Sequence, residues 1–295
     1  MLRSSWTVIP LFALFLPGCA PSPPASDAPA EGAQSAQSGE AAQSSSETAE
    51  AGMVEAEVVE EPALPTAGEV AEQFADLSPS EWGLEIPGVG TLMDSGGIAL
   101  TLDACGGPNG DGYDAALING LIERGVPATL FLNMRWVDAN PEFAAELAAN
   151  PLFEIGNHGA THRPLTVAGQ AAYGIEGTAS PLEAAREVLD NHLRILELTG
   201  RAPRFFRSGT AHYDDVGIQV AQAAGEDVLG FSVNADAGAT YDAATVRAEV
   251  AGAQPGAIII AHMNQPGGET AEGLLAGVDD LLAQGAQFTL VENPR

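Results

Sequence analysis

The chain has 295 residues, with 40 acidic against 11 basic side chains and a formal net charge of −29. So acidic a surface is repelled by phosphate backbones, which argues against a nucleic-acid partner. All 11 basic residues are arginine, and the absence of lysine excludes Schiff-base chemistry and a phosphate-loop lysine.

The first twenty residues, MLRSSWTVIPLFALFLPGCA, place Arg3 ahead of an apolar run at 6–16. That run is too short to span a bilayer and has the length of an export-signal core. Residues 1–19, ending at Cys19, resemble a bacterial lipoprotein signal, which implies that Cys19 is lipidated; an ordinary secretory signal is the alternative. The expectation is an exported protein held to a membrane through Cys19 only. Because Ala20 is not an aspartate, the periplasmic face of the outer membrane is expected if the source is Gram-negative. Residues 20–66 are rich in Pro, Ser, Ala and Glu and cannot bury enough apolar surface to offset their ordering entropy, so they read as a disordered linker. The folded part is expected at 67–295, ample for one core and expected to be monomeric.

Within it, residues 97–103 (GIALTLD) read as a strand and 113–124 (YDAALINGLIER) as a helix with apolar residues at helical spacing, stopped by Gly125. A second strand at 127–133, a helix near 141–149 and a third strand at 152–156 follow. After a Gly- and Ala-rich insertion, Ser180, Pro181 and Glu183 give a cap, a first-turn proline and a capping-box acid, and Gly200 closes that helix. Further strands read at 204–207, 228–233, 257–261 and 287–291, with helices near 214–224, 243–251 and 270–283. Seven short apolar strands alternating with helices predict an α/β fold with a parallel sheet buried on both faces, open or closed into a barrel. The barrel is favoured because Asp103 and nearly every histidine fall just past a strand's C-terminal end, where α/β folds gather their chemistry.

Five histidines are present: His158, His162, His192, His212 and His262. The pair in NHGATH has a spacing that can bring two imidazoles to one side of a turn, a common way to supply zinc ligands; capping or backbone bonding is the alternative. Asp103 ends the first strand, Arg207 follows the fourth and His262 follows the apolar IIIA run, which adds an acid, a cation and a third imidazole at corresponding ends.

The set TLDACGG, NHGATH, RFFRSGT, FSVNADAG and IIIAHMN, in this order, resembles the five motifs of the polysaccharide deacetylase family, also called the NodB-homology family or carbohydrate esterase family four. The resemblance spans about residues 99–291. It implies a single distorted (β/α)7 barrel that uses a divalent metal, usually zinc, to remove acetyl groups from N-acetylated sugars. Carried over, Asp103 matches the catalytic base, His158 and His162 the metal histidines, and Arg207 the arginine that holds the base. The backbone N–H near Thr210 matches an oxyanion-stabilising amide, and His262 the general acid.

The sequence also departs from the family. Ala104 stands where a second aspartate usually supplies the third metal ligand. Water or substrate could fill the vacancy; Cys105 could turn toward the metal or lie buried as a small apolar residue; or Asp103 could become a ligand, with Asp111, Asp114 or Asp236 as base. His212 is either a further ligand or a surface cap. Asn234 replaces a usual aspartate, for which Asp236 stands in only if its loop shifts. Ser208, Gly209 and Thr210 replace a Pro-rich aromatic motif that normally lines the sugar cleft, and His192 reads as structural. The expected activity is metal-dependent N-deacetylation of a peptidoglycan or chitin-like glycan in the cell envelope. The alternatives are a metal-independent C–N hydrolase on the same barrel and an inactive glycan-binding lipoprotein.

Overall fold

A computed structural model describes residues 64–295. The expected export signal, Cys19 and most of the linker lie outside these residues. Thr66 caps the first helix, α1 (Ala67–Gln73), in a reciprocal box with Glu69. There follow β1 (Trp82–Gly83), β2 (Ile98–Ala104), α2 (Ala115–Arg124), β3 (Ala128–Leu132), α3 (Met134–Ala139), α4 (Pro141–Ala149) and β4 (Phe153–Asn157). The second half holds α5 (Pro181–Thr199), β5 (Phe205–Phe206), β6 (Tyr213–Asp214), α6 (Asp215–Ala223), β7 (Asp227–Val228), β8 (Val233–Asn234), α7 (Ala243–Ala251), β9 (Ile258–His262), α8 (Thr270–Ala283) and β10 (Phe288–Thr289). No helix among the described residues is long and apolar enough to cross a membrane.

The main sheet is parallel, in the order β7-β5-β4-β3-β2-β9-β8, with β10 on the lower part of β2. Its two edge strands are neighbours in sequence, and that forces the sheet to curl. Laid flat, seven strands would put their outer members about 29 Å apart at ~4.8 Å per gap. The chain from Val228 to Val233 reaches at most about 17 Å. The sheet therefore wraps into a barrel whose seam is residues 229–232, as the (β/α)7 expectation requires.

Side-chain alternation then sorts the residues. Leu100, Leu102 and Ala104 of β2, Leu130 and Leu132 of β3, and Ile259 and Ala261 of β9 belong to the outer core beneath the helices. Ala99, Phe131, Phe205 and Ile258 fill a separate inner core. The inward positions next along β2 and β9 are Thr101, Asp103, Ile260 and His262, so polar chemistry collects at the C-terminal mouth.

Most expected elements are present, and the capping signals locate α5 well: Ser180 Oγ accepts from the Glu183 N–H, and Gly200 ends the helix at φ 68°. The structure adds α1 and the antiparallel β1–β6 pair, and two further features differ. The strand expected at 228–233 is two short edge strands, β7 and β8, because the seam turns between them. The expectation also lacked α3, which Asn133 caps by accepting from the Arg135 N–H.

Candidate active site

Asp103 and His262 are register partners on adjacent strands, so the sheet itself sets them side by side. Beneath them lies the fully buried Arg207. Its Nη1 donates to Asp103 Oδ1 and Thr101 Oγ1, each at 2.8 Å, and Nε and Nη2 donate to the carbonyls of Leu229 and Gly230. The guanidinium rests 4.3 Å above the Phe131 ring. That ring occupies the space opposite Gly156, where a Cβ would stand 2.8 Å from it, so only glycine fits there. Burial raises the Asp103 carboxyl, but Arg207, His158 and His262 outweigh it and hold the group below the usual carboxylate range.

His158 follows β4. Its Nδ1–H donates to the Arg207 carbonyl at 2.9 Å, which leaves Nε2 as the free lone pair, 3.9 Å from Cys105 Sγ and 3.6 Å from Asp103 Oδ2. His162 sits at φ 63° with its backbone pressed on Gly209, where a Cβ would lie 2.3 Å from the His162 carbonyl carbon. His162 Nε2 is buried and has no hydrogen-bond partner among the described residues. One ligand atom each from Cys105, His158 and His162 lie within 4.8 Å of one another. A tetrahedral zinc with arms of about 2.0–2.3 Å needs donors roughly 3.3–3.7 Å apart, so a modest inward movement suffices.

The donor set suits zinc chemically. Burial raises the Cys105 thiol, but His158, His162 and His262 bring it well below its ordinary value, toward the thiolate that binds metal. Burial lowers His158, while Asp103 and Cys105 raise it above its ordinary value. An orphaned buried nitrogen, a thiolate and a second free imidazole nitrogen fit a divalent cation of borderline softness.

The loop carrying both histidines is pinned from behind. The Glu187 carboxylate of α5 accepts from the Thr161 and Arg163 N–H groups and the Thr161 hydroxyl, and Asn133 Nδ2 donates to the carbonyls of His158 and Gly159. Asn157 Oδ1 accepts from the Gly159 N–H and Asn191 Nδ2, while its own amide donates to Glu226 Oε1, which also meets His192 Nδ1 at 2.7 Å. Sequence reasoning missed Glu187, Glu226 and Asn157. One signal was present, since Glu187 and Asn191 lie four apart among the mostly apolar buried residues of α5.

On the other side, Asp236 accepts both the His262 N–H at 2.8 Å and its Nδ1–H at 2.9 Å, with Thr270 Oγ1 as a third donor. Asp236 is thus the carboxylate that meets His262, while Asn234 accepts from the Ala237 N–H and holds the turn. Burial lowers His262, but Asp236 and Cys105 raise it well above its ordinary value. A cavity of about 360 Å³ opens onto Asp103, His162, Thr210, Asn234 and His262.

Several expectations need correction. Asp114 caps α2 by accepting from the Leu117 N–H, and Asp111 is exposed, so neither reaches the site as a base. His212 is not among the clustered ligands; its Nδ1 donates to the Thr210 carbonyl. Cys105 is not a buried filler but faces the histidine pair. The methyl of Ala104 points into the outer core. His192, by contrast, agrees with its structural reading and is buried against Glu226.

Fold and site together define a parallel α/β barrel with an acid, a guanidinium, clustered metal-type donors and a buttressed imidazole at its C-terminal mouth. Residues 93–229 match the family model for polysaccharide deacetylase, so this stretch of the chain is similar to that family, hydrolases of amide C–N bonds. Solved structures agree on the fold. A carbohydrate esterase family four pseudoenzyme from Bacillus anthracis superposes with TM-score 0.58 at 23% identity, over 73% of this chain and 69% of that one. A family 4 carbohydrate esterase from Streptomyces lividans in complex with acetate gives 0.54 at 20%, over 67% and 93%. The peptidoglycan deacetylase PdaC from Bacillus subtilis gives 0.53 at 23%, over 67% and 89%.

Proposed function

We propose that the protein is a metal-dependent N-deacetylase of an acetamido-sugar polymer or oligomer, peptidoglycan or chitin-like, in the cell envelope. The observation that carries this reading is the convergence of Cys105, His158 and His162, with the orphaned His162 Nε2, beside the Asp103–Arg207 pair. Those three residues would hold the cation, most naturally zinc. Bound there, it would polarise the amide carbonyl and make a water more acidic.

The protein's own groups then divide the work. Asp103, kept ionised by Arg207, takes the proton of the attacking water. The Thr210 backbone N–H faces the developing oxyanion. His262, kept protonated by Asp236, delivers a proton to the departing amine, which a poor leaving group requires. The envelope location rests on the lipoprotein-like residues 1–19.

The test is acetate release by the full chain from acetylated chitooligosaccharides and peptidoglycan fragments, before chelation, after it, and after zinc is returned. Loss and recovery of activity is the expected result. Activity indifferent to the chelator sinks the metal-dependent reading. A second reading, glycan binding without turnover, is favoured by one observation: Ala104 offers no ligand where the family usually has an aspartate. No acetate from any substrate, with zinc bound normally, decides for it.

A further inference from the structure

The insertion between the histidine loop and α5 has no part in the chemistry above, yet its tip reaches the cavity. Ala172 and Ile175 exchange backbone hydrogen bonds at 3.0 and 2.9 Å around Tyr173 and Gly174, whose φ values are 53° and 78°. Both central residues are left-handed, as in the tightest hairpin turns. Such positions favour Asn or Gly, so a tyrosine there needs a reason. The hairpin is firmly based. Asp214 accepts from the Thr166 hydroxyl and the Val167 N–H, and Arg163 donates to the carbonyls of Glu176 and Gly177.

What this rigid loop presents is an aromatic ring. Tyr173 is 77% exposed, among the most exposed large side chains described, and still lines the cavity that holds Asp103 and His262. Its ring meets the edge of His212 at 5.1 Å, and Trp82 backs His212 at 5.6 Å. Tyr173 alone of these three rings lines the cavity, together with the apolar Leu84 and Ile175, while His212 and Trp82 stack behind it as its support. At about 360 Å³ the cavity is near the lower end of small-molecule pockets, enough for one sugar ring with its acetamide. A longer chain leaving the cavity on the side of the hairpin meets the exposed Tyr173 ring. No arginine lines the cavity, and its positive charge is confined to the reacting centre at His262, so a carboxylate on the ring beyond that centre finds no arginine to pair with.

We infer that the Tyr173 ring, backed by His212 and Trp82, is a subsite for an uncharged pyranose ring of an oligomeric glycan, adjoining the ring that reacts. The inference rests on the deacetylase reading for its choice of ligand. The apolar C–H face of a pyranose packs on the Tyr173 ring while its hydroxyls stay in water, and exposed aromatics are suited to such a half-wet contact. Tyr173 is thereby a specificity-determining residue that selects oligomers over single sugars.

The test compares the full chain with Tyr173→Ala and Tyr173→Trp on the tetramer of β-1,4-linked N-acetylglucosamine, on its monomer and on a small aryl acetate. Tyr173→Ala is expected to raise KM for the tetramer roughly tenfold with kcat within twofold, and to leave the monomer and aryl acetate unchanged, while Tyr173→Trp restores the tetramer KM. Tetramer binding is measured in parallel by calorimetry on His262→Ala, with and without Tyr173→Ala. If no variant releases acetate but tetramer binding falls tenfold with Tyr173→Ala, the subsite stands and the deacetylase reading fails. If acetate is released but neither KM nor binding responds to Tyr173, the subsite is wrong and the deacetylase reading stands. No tetramer binding at all overturns the subsite, and a lactyl-bearing, carboxylated oligomer bound as tightly as the tetramer overturns its preference for uncharged rings.

Discussion

Replacing Arg207 by methionine keeps the length of the side chain and removes its charge and its donors. Asp103 Oδ1, Thr101 Oγ1 and the Leu229 and Gly230 carbonyls all lose a partner, and the carboxylate is left buried without its counter-ion. Breaking a buried pair in this way costs about 3–5 kcal/mol. For a domain of this size that corresponds to a fall in Tm on the order of 6–20 °C, at about 2–4 °C per kcal/mol. Asp103→Asn should cost less, because Arg207 keeps its carbonyl and hydroxyl acceptors. In the double variant neither charge is left alone, so its loss should fall short of the sum of the singles by about 1–3 kcal/mol. The cycle is measured by urea unfolding followed by circular dichroism, in chelator throughout so that metal linkage contributes nothing. A loss below about 1 kcal/mol for Arg207→Met, or singles that add to within about 0.5 kcal/mol, refutes the view that this pair is a buried, mutually dependent unit.

Three further outcomes are expected. Cys105→Ser should weaken zinc binding on the order of 100-fold or more, read by competition with a chromogenic chelator; an unchanged affinity removes Cys105 from the ligand set. Asp236 keeps His262 protonated to higher pH than an ordinary imidazole, and the protonated form is the one needed, so activity is lost as pH rises through the His262 pKa. Asp236→Asn should move that alkaline limb of kcat/KM to lower pH, and an unmoved limb counts against His262 as the acid. Burial pushes Glu226 up to about 7, against the pull of His192 and Asn157, from an ordinary value of 4.5. Its folded pKa lies above its unfolded one, so its stabilising contribution is full below about pH 4.5 and is lost as pH rises to about 7. Stability should fall across that window by on the order of 3 kcal/mol, and Glu226→Gln should flatten the fall in urea titrations at pH 5, 6, 7 and 8.

How much was legible beforehand depended on whether a signal was local. The ends of α5 were readable because Ser180, Pro181, Glu183 and Gly200 act within a turn of themselves, and the apolar strands at Ile98–Ala104 and Ile258–His262 announce themselves by composition. Asp103, His158, His162, Arg207 and His262 were found because strand ends gather chemistry and because the motifs recur together. The buttresses were not. Glu187 resembles a surface helix residue until Thr161 and Arg163 are folded onto it, and Glu226 is one acid among many until His192 and Asn157 close around it. The break between β7 and β8 was equally hidden, since it follows from closing the ring of strands and not from residues 228–233 themselves.

That ring closes through the segment whose Leu229 and Gly230 carbonyls receive Arg207, the residue that also grips Asp103. The Asp103 carboxylate is therefore fastened to the place where the barrel could unzip without first tearing a strand from the middle of the sheet. Local opening there releases Arg207 and with it Asp103, so the site is only as durable as its weakest joint. Function should be lost in denaturant before the helices melt, and slow hydrogen exchange at residues 229–232 would mark a barrel that keeps its chemistry locked.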